Sequence, residues 1–278
     1  MYSLNCKGKL LDLSTPKVMG VLNVTPDSFY DGNRYTSTEQ ILQQVSKMLE
    51  EGADIIDIGG MSSRPGAAIV SVAEELKRVI PAVEIISKHY PDAIISIDTI
   101  QSEVAKQGIA AGGHIINDIS AGQFDEKLFQ TIGELGVPYM LMHMQGTPKT
   151  MQNNPDYKDV VLQIIDFLVQ QVAELRQYGV KDIVIDPGFG FGKSLAHNYQ
   201  ILGQLHNLKI LELPILVGLS RKSMIYKVLK STPAEALNGT TALNMLALQN
   251  GANILRVHDV KAAVETIQLW QTYAAINR

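Results

Sequence analysis

The stretch "GVKDIVIDPGFGFGK", residues 179–193, contains the unit that the rest of the chain repeats. Gly179 ends a helical segment, a β-branched run follows at Ile183–Ile185, and Asp186 precedes a proline–glycine turn. A short run that is apolar at every position is typical of a strand buried on both faces, as in a parallel sheet. An ionised carboxylate at the end of such a strand is costly without a partner, so Asp186 predicts one.

Eight runs of this kind occur along the chain, and the segments between them have apolar residues at helical spacing. Helix starts are marked by the capping signatures "SVAE" at Ser71–Glu74 and "TPAE" at Thr232–Glu235, and helix ends by glycines. The runs are Val18–Leu22, Ile55–Ile58, Ile94–Ile97, His114–Ile116, Pro138–Met142, Ile183–Ile185, Ile215–Val217 and Asn253–Val257.

Eight alternating β and α units predict a (β/α)8 barrel, the TIM barrel of the α/β class. We expect one domain over residues 1–278, with the barrel beginning near residue 17 and a short hairpin before it covering the barrel floor. The alternative is a doubly wound open sheet, which requires a glycine fingerprint after its first strand. The sequence "VLNVTPDSF" at that place is not such a fingerprint.

The amino-acid composition argues against several classes of function. Of 278 residues 46% are hydrophobic, which suits a large core, and the formal net charge of −4 with no basic stripe predicts no nucleic-acid partner. The single cysteine, Cys6, allows no intrachain disulfide and suits a reducing compartment. No apolar run is long enough for a membrane span or a signal peptide. We therefore expect a soluble, cytoplasmic protein without a membrane partner.

Polar residues follow the predicted strands at their C-terminal ends, which is where (β/α)8 barrels carry their active sites. For Asp57, Asp118 and Asp125, taken singly, the favoured interpretation is a helix cap or a turn. The set at the strand ends comprises Asn23, Asp57, Ser62, Ser63, Arg64, Asp98, Asn117, Asp118, His143, Asp186, Ser220, Arg221, Lys222, Arg256 and His258.

Asp98, Asn117 and Asp186 each come directly after an apolar strand, so two carboxylates and an amide should converge on one opening. Carboxylates accept N–H groups and an amide both donates and accepts, which suits the edge of a flat, nitrogen-rich heterocycle. His143 has no accompanying carboxylate–histidine spacing, so no metal site with His114 or His258 is predicted.

The segment "GFGFGK" does not fit a phosphate-binding loop, because Pro187 stands where that pattern needs its first glycine. Its glycines instead predict a close approach of the backbone to a flat ligand. Phe189 or Phe191 could then cover a ring, and the alternative for either side chain is a place in the core.

Basic residues form a second set at the strand ends: Arg64, Lys222, Arg256 and His258. Guanidinium groups at such an opening favour phosphate or carboxylate ligands. Two long polar loops, Asn23–Ser37 and Met61–Ala68, follow the first two strands, and we expect both to close over a substrate.

Together the motifs "MGVLNVTPDSFYDG", "DIGGMSSRPGA", "SIDT", "IINDIS", "MHMQGTPKTMQ", "DPGFGFGK", "GLSRKS" and "RVHDV" resemble, in order, those of the dihydropteroate synthase family of folate synthesis. The resemblance runs from about Lys17 to Val260. It implies condensation of 6-hydroxymethyl-7,8-dihydropterin diphosphate with 4-aminobenzoate to 7,8-dihydropteroate and pyrophosphate, with Mg²⁺, in a homodimer.

The resemblance also implies roles for individual residues. Asn23 should hold Mg²⁺, and the catalytic set should be Asn23, Arg64, Lys222, Arg256 and His258. The pterin should be bound by Asp98, Asn117, Asp186 and Lys222. The diphosphate should be bound by Ser63, Arg64, Arg256 and His258. The aminobenzoate should be framed by Phe29, Pro65, Phe191, Lys222 and Ser223.

The sequence departs from the family pattern at four positions. Met61 stands where Glu is common, Ser63 where Thr is common, and Tyr30 and Asn33 where Ser and Gly are common. Two other functions share the pterin-binding trio: a barrel that transfers a methyl group from methyltetrahydrofolate to a corrinoid protein, and a non-catalytic pterin-binding homologue. The basic set argues against the first, and the retained catalytic positions argue against the second.

The last helical segment has an apolar stripe of Val264, Ile267, Trp270 and Ala274. Two interpretations remain open for it, a dimer interface and packing on the barrel.

Overall fold

The structure is a computed structural model that describes residues 2–25, 34–61, 70–147, 151 and 155–276. The strands are β1 (Ser3–Cys6), β2 (Lys9–Asp12), β3 (Lys17–Asn23), β4 (Ile55–Gly59), β5 (Ile94–Asp98), β6 (Ile115–Asp118), β7 (Tyr139–Met142), β8 (Ile183–Asp186), β9 (Leu216–Val217) and β10 (Ile254–Val257). The helices are α1 (Arg34–Glu50), α2 (Val72–His89), α3 (Ser102–Ala110), α4 (Leu128–Leu135), α5 (Val160–Gln177), α6 (Leu195–Gly203), α7 (Ser223–Leu229), α8 (Leu237–Gln249) and α9 (Val260–Ile276), with 3-10 helices at Leu205–Leu211 and Pro233–Glu235.

Strands β3 to β10 form a parallel sheet in the order β8-β7-β6-β5-β4-β3-β10-β9. The two end strands meet through a parallel bridge between Ile185 and Ile215, and the Ile185 amide donates to the Pro214 carbonyl at 2.9 Å. The sheet therefore closes into a barrel surrounded by helices, and the predicted (β/α)8 fold is confirmed. Each of the eight predicted runs coincides with a strand, with ends that differ by two residues at most.

The helix boundaries follow local chemistry. The Ser71 side chain accepts from the Glu74 amide at the start of α2, and Thr232 and Glu235 form a reciprocal capping box. That second signature begins a 3-10 turn, and α8 starts immediately after it. Gly136 caps α4 in the left-handed conformation, which a residue without Cβ adopts at little cost.

The N-terminal hairpin of β1 and β2 closes the barrel floor, as the sequence predicts. The strands pair antiparallel, and Leu4, Cys6, Leu11 and Leu13 turn inward. They pack against residues at the lower ends of the barrel strands: Met19, Ile55, Ile115, Met140, Val184, Leu216 and Ile254. The floor is thus apolar and tightly filled, so the polar chemistry is confined to the opposite end.

The apolar stripe on α9 packs on the barrel. Ile267 is buried, and Val264 and Trp270 lie against the main core. This settles the two open interpretations for these three residues in favour of packing. The face of α9 that is turned to solvent carries Leu269, Tyr273 and Ile276 instead.

In the ranges that the structure describes, no helix combines the length and the apolarity needed to cross a membrane.

Replacing Leu4 by Ala tests the closed floor. Leu4 is buried in the floor cluster, so the truncation should leave a cavity and lower the free energy of unfolding by about 2–5 kcal/mol in urea titrations. Leu10 on the same hairpin is 73% exposed, and Leu10→Ala should change stability by no more than about 0.5 kcal/mol. Equal effects of the two variants would show that the hairpin does not seal the barrel.

Candidate active site

The polar trio lies at the C-terminal end of the barrel, called the mouth below. Asp98 and Asp186 are the last residues of β5 and β8, and Asn117 lies in β6 directly beside Asp98 in the parallel register. All three side chains are largely buried but retain some exposure to solvent. The closure of the barrel thus brings to one opening three residues that are far apart in the sequence.

Arg256 connects this trio to the rest of the mouth. It lies in β10, and its Nε donates to Asp57 Oδ2 at 2.7 Å while its Nη2 donates to Asp98 Oδ2 at 2.6 Å. Burial alone would lower the pKa of Arg256, but the attraction of Asp57 and Asp98 outweighs burial and raises it. The sequence places Arg256 in the anion-binding set. In the structure its guanidinium also contacts the carboxylate expected to bind the heterocycle.

Asp57 contacts two mouth residues, a connection that the sequence interpretation missed. Its side chain is fully buried in the middle of β4, and Asp57 Oδ2 accepts from Arg256 and, at 3.1 Å, from Asn117 Nδ2. The interpretation as a helix cap or turn residue is therefore wrong. A signal for this contact is present in the sequence. Each of two apolar strands contains one charged residue, Asp57 in "IIDIG" and Arg256 in "ILRV", and the two charges are opposite.

For Asp118 and Asp125 the turn and cap interpretation is confirmed. Asp118 accepts from the amides of Ser120 and Gly122 and from the Tyr139 hydroxyl. Asp125 accepts from the Ser102 amide at the start of α3. Asp118 therefore stabilises the turn behind β6 and takes no part in the mouth.

Burial raises the pKa of Asp98 to about 7. Arg256 lowers this pKa, while the carboxylates of Asp57, Glu75 and Asp118 raise it further. Burial also raises the pKa of Asp186, against the attraction of Lys222 and a hydrogen bond from the Gly188 amide. Both carboxylates are consequently poised to gain from a ligand that donates N–H groups to them.

Asn23 reaches the same mouth from the end of β3. A Cβ atom on Gly59 would lie 3.6 Å from Asn23 Oδ1 and 3.5 Å from Asp98 Oδ2, so both oxygens border the space above this glycine. Within the described ranges no group of three or more histidine, cysteine, aspartate or glutamate side chains could hold a metal ion.

Lys222 lies between the two phenylalanines of the "GFGFGK" segment. Its Nζ donates to the Phe189 carbonyl and lies 4.6 Å from the centroid of the Phe191 ring, a cation–π contact. Burial lowers the pKa of Lys222 to about 8, although Asp186 opposes the shift. Phe189 is fully buried in the main core, so Phe191 is the aromatic ring that remains at the mouth.

Two glycines of this segment, Gly188 and Gly192, do not have the predicted role of letting the backbone approach a flat ligand. A Cβ on Gly188 would lie 1.9 Å from the His143 carbonyl oxygen, and one on Gly192 would lie 2.3 Å from that of Gln145. Both glycines have positive φ and pack against the loop that follows β7. At these two glycines the close neighbour is therefore the backbone of the protein itself and not a ligand. Of the three glycines, only Gly190 faces a side chain of the mouth, that of Lys222.

Lys193 connects the loop after β7 to the "GFGFGK" segment after β8. Its buried Nζ lies 3.0 Å from His143 Nδ1 and donates to the carbonyls of His143 and Phe191 at 3.2 and 2.9 Å. Burial and the charge of Lys193 lower the pKa of His143 to about 2, so its imidazole stays neutral. His143 therefore connects the loop after β7 to Lys193 and packs within the protein.

The loops after β9 and β10 are joined in a similar way. Ser220 Oγ lies 2.9 Å from His258 Nδ1, and Arg221 forms two 2.8 Å hydrogen bonds with Asp259. Arg221 is thus engaged in holding the loops together, whereas the His258 ring is exposed at the mouth. Ser223 begins α7 and is partly exposed there.

Four predicted site residues lie outside the described residues: Phe29, Ser63, Arg64 and Pro65. Met61, which precedes them, is buried in an apolar cluster beside the mouth. A methionine in place of the common glutamate therefore adds apolar packing next to Phe191. The cluster contains Met61, Ile100, Ile119, Met142, Met144, Met151 and Phe191.

The mouth offers several hydrogen-bond acceptors with fixed orientation. Asp98 Oδ2 is engaged by Arg256 and Asp186 Oδ1 by the Gly188 amide at 2.7 Å, so the second oxygen of each is free to face a ligand. Asn117 donates its nitrogen to Asp57, which leaves its carbonyl oxygen as the acceptor. An array of acceptors next to an arginine, a lysine and a histidine suits a flat ring with N–H donors that carries an anionic group.

These features define a pterin-binding (β/α)8 barrel, and the family model described as pterin binding enzyme matches residues 19–258. The dihydropteroate synthase of Escherichia coli strain K12 is 47% identical over 268 residues, covering 96% of this chain and 94% of that protein. A Yersinia pestis dihydropteroate synthase with a sulfonamide drug superposes with a TM-score of 0.93 at 44% identity, covering 99% of this chain and 100% of the other. A Xanthomonas albilineans dihydropteroate synthase in complex with 7,8-dihydropteroate gives 0.88 at 40% identity, covering 99% of both chains. The chain belongs to the dihydropteroate synthase family.

Proposed function

We propose that this protein condenses 6-hydroxymethyl-7,8-dihydropterin diphosphate with 4-aminobenzoate, releasing pyrophosphate and forming 7,8-dihydropteroate. One observation carries the proposal: the residues suited to a pterin and those suited to a diphosphate are in direct contact. Arg256, a member of the basic set, forms an ion pair with Asp98, a member of the trio that suits the pterin. The relationship to dihydropteroate synthases over nearly the whole chain agrees with it.

The pterin is held by the acceptor array. Asp98, Asn117 and Asp186 receive N–H groups from the edge of the ring, which supplies the partner that a carboxylate at the end of β8 requires. Lys222 lies close enough to Asp186 to balance its charge and is available to a ring acceptor. The methylene that carries the diphosphate is then directed toward the basic residues.

The diphosphate is bound by Arg256 and His258, together with Ser63 and Arg64. Charge-assisted hydrogen bonds from a guanidinium to phosphate oxygens are short and directional, and they strengthen as negative charge develops on the leaving group.

The residues present fit a role for Mg²⁺. This hard cation takes oxygen ligands, keeps several waters, and is commonly bound by one or two protein groups together with substrate phosphates. Asn23 Oδ1 is such a ligand and borders the mouth beside Asp98. When bound, Mg²⁺ would neutralise phosphate charge and so make pyrophosphate a better leaving group.

The reaction proceeds by cleavage before attack. The C–O bond to the diphosphate breaks first, and the dihydropterin spreads the resulting positive charge from its exocyclic methylene. The amine of 4-aminobenzoate then forms the C–N bond and releases its proton, so no strong base is required. Phe191, Lys222 and Ser223, with Phe29 and Pro65, frame the aminobenzoate and exclude water that would otherwise capture the cation.

A cytoplasmic location and a homodimer complete the proposal. The single cysteine, Cys6, is buried and can form no intrachain disulfide, which suits a reducing compartment. Helices α7, α8 and α9 pack side by side and expose a series of large apolar side chains, a composition typical of a homodimer interface. They are Val228, Leu229, Leu246, Leu269, Tyr273 and Ile276.

A pyrophosphate-release assay tests the proposed reaction. Purified protein with Mg²⁺ and both substrates should release pyrophosphate and form 7,8-dihydropteroate in equal amounts, and release should depend on 4-aminobenzoate. A methyl-transferring barrel would release none, and a non-catalytic homologue would bind the pterin in calorimetry without turnover. Either of these results would overturn the proposal.

Pterin binding should depend on pH through Asp98. Because burial raises the pKa of Asp98 to about 7, the carboxylate becomes protonated and loses an acceptor as pH falls through that value. The Kd of a pterin without phosphate groups should be lowest between the pKa of Asp98 and that of Lys222, which is about 8, and should rise by up to about tenfold per unit well below pH 7. Calorimetry from pH 5.5 to 8.5 measures this, and Asp98→Asn should bind weakly with a smaller slope. A Kd of the unaltered protein that does not change over this range would contradict the assignment.

Charging the exposed apolar face should prevent dimer formation. Leu269 is 66% exposed on α9, and Leu269→Asp should shift the protein from dimer to monomer in sedimentation velocity. Leu162, 54% exposed on α5, serves as the control, since Leu162→Asp should remain dimeric. A monomeric unaltered protein at micromolar concentration would disprove the proposed dimer.

A further inference from the structure

Asp57 is not among the substrate-binding residues proposed above, yet it contacts two of them. It occupies the centre of β4 with a fully buried side chain, so it cannot touch a substrate. Its Oδ2 atom accepts from Arg256 Nε at 2.7 Å and from Asn117 Nδ2 at 3.1 Å. One buried carboxylate oxygen thus joins a member of the pterin-binding set to a member of the anion-binding set.

The first consequence concerns the amide of Asn117. An ionised carboxylate can only accept hydrogen bonds, so the amide must turn its nitrogen toward Asp57. The carbonyl oxygen Oδ1 is then directed away from Asp57 and presents an acceptor at the mouth. Without Asp57, nothing in the amide group itself decides which end faces the ligand.

The second consequence concerns the guanidinium of Arg256. Two carboxylates hold it at two different nitrogens, Nε to Asp57 and Nη2 to Asp98, which fixes the plane of the group. Its remaining N–H donors are directed by that plane. Removing a buried carboxylate from such a pair leaves a charge that is only partly compensated, which is costly.

We propose that Asp57 is a positioning residue that sets the donor and acceptor pattern of the mouth. It turns the Asn117 carbonyl toward the N–H edge of the pterin and aims Arg256 at the diphosphate, without contacting either. This inference rests on the proposed function and adds a residue that acts through two others.

The variant Asp57→Leu tests the orientation of Asn117. Leucine at 57 offers no acceptor, so Asn117 Nδ2 and Arg256 Nε both lose their partner. The Asn117 amide can then turn over and present its NH₂ group to the N–H edge of the pterin. We expect kcat/KM for the pterin diphosphate to fall at least a hundredfold, while KM for 4-aminobenzoate stays within about threefold.

The near-isosteric variant Asp57→Asn should avoid much of this loss. Both hydrogen bonds end on the one atom Asp57 Oδ2, and Asp57 Oδ1 has no hydrogen-bond partner among the described residues. An asparagine can therefore place its carbonyl oxygen at the Oδ2 position and its NH₂ group at the Oδ1 position. We expect kcat/KM for the pterin diphosphate in D57N to be at least tenfold higher than in D57L.

Asp118→Asn is the matched control. Asp118 is equally buried at the end of β6, two strands away in the sheet, but its partners are Ser120, Gly122 and Tyr139, away from the mouth. This variant should lose thermal stability and keep both KM values within about twofold. It separates an orientation effect from a general loss of packing.

Three results would overturn the inference: an unchanged kcat/KM for the pterin diphosphate in D57L, a D57N variant no better than D57L, or the D57L pattern in D118N. If D57L fails to fold, D57N decides, and a hundredfold loss of kcat/KM in D57N would count against the proposal. If the unaltered protein released no pyrophosphate, the proposed function would fail, and pterin Kd values from calorimetry would still test Asp57 separately.

Discussion

Arg256 carries a positive charge into the mouth of the barrel, where two buried carboxylates receive it at 2.7 and 2.6 Å. The arrangement depends on three strands, since Arg256 lies in β10, Asp57 in β4 and Asp98 in β5. A buried ion pair adds little net stability, because desolvation offsets most of its attraction. Its value here is geometric: it fixes a guanidinium between the acceptors for a ring and the donors for an anion.

The rest of the structure keeps this arrangement rigid. The hairpin fills the floor with apolar side chains, so the mouth is the polar end of the described barrel. Neighbouring loops are tied to each other by Lys193 with His143 and by Arg221 with Asp259. In the proposed reaction, groups positioned in this way would need little reorganisation when charge develops on the leaving diphosphate, which is how preorganised sites lower a barrier.

Much of the site could be predicted from the sequence because its residues have a local signature. Asp98, Asn117 and Asp186 each interrupt an apolar run at the point where a barrel strand ends, and this position predicts the mouth. The interpretation of Asp57 as a cap failed because its partner, Arg256, is 199 residues away. The glycines at 188 and 192 were likewise assigned to a ligand, whereas the carbonyls they approach belong to the loop after β7.

The sequence by itself determined the alternation of strands and helices, the family, and the end of the barrel that carries the chemistry. These follow from hydrophobic periodicity and turn residues, which act within a few positions of the chain. Only the tertiary structure decided that Phe189 is core and Phe191 is at the mouth, which face of α9 is exposed, and which atom of each polar side chain is left for a ligand. Hydrogen-bond partners come from strands distant in sequence, and closure of the barrel is what brings them within bonding distance.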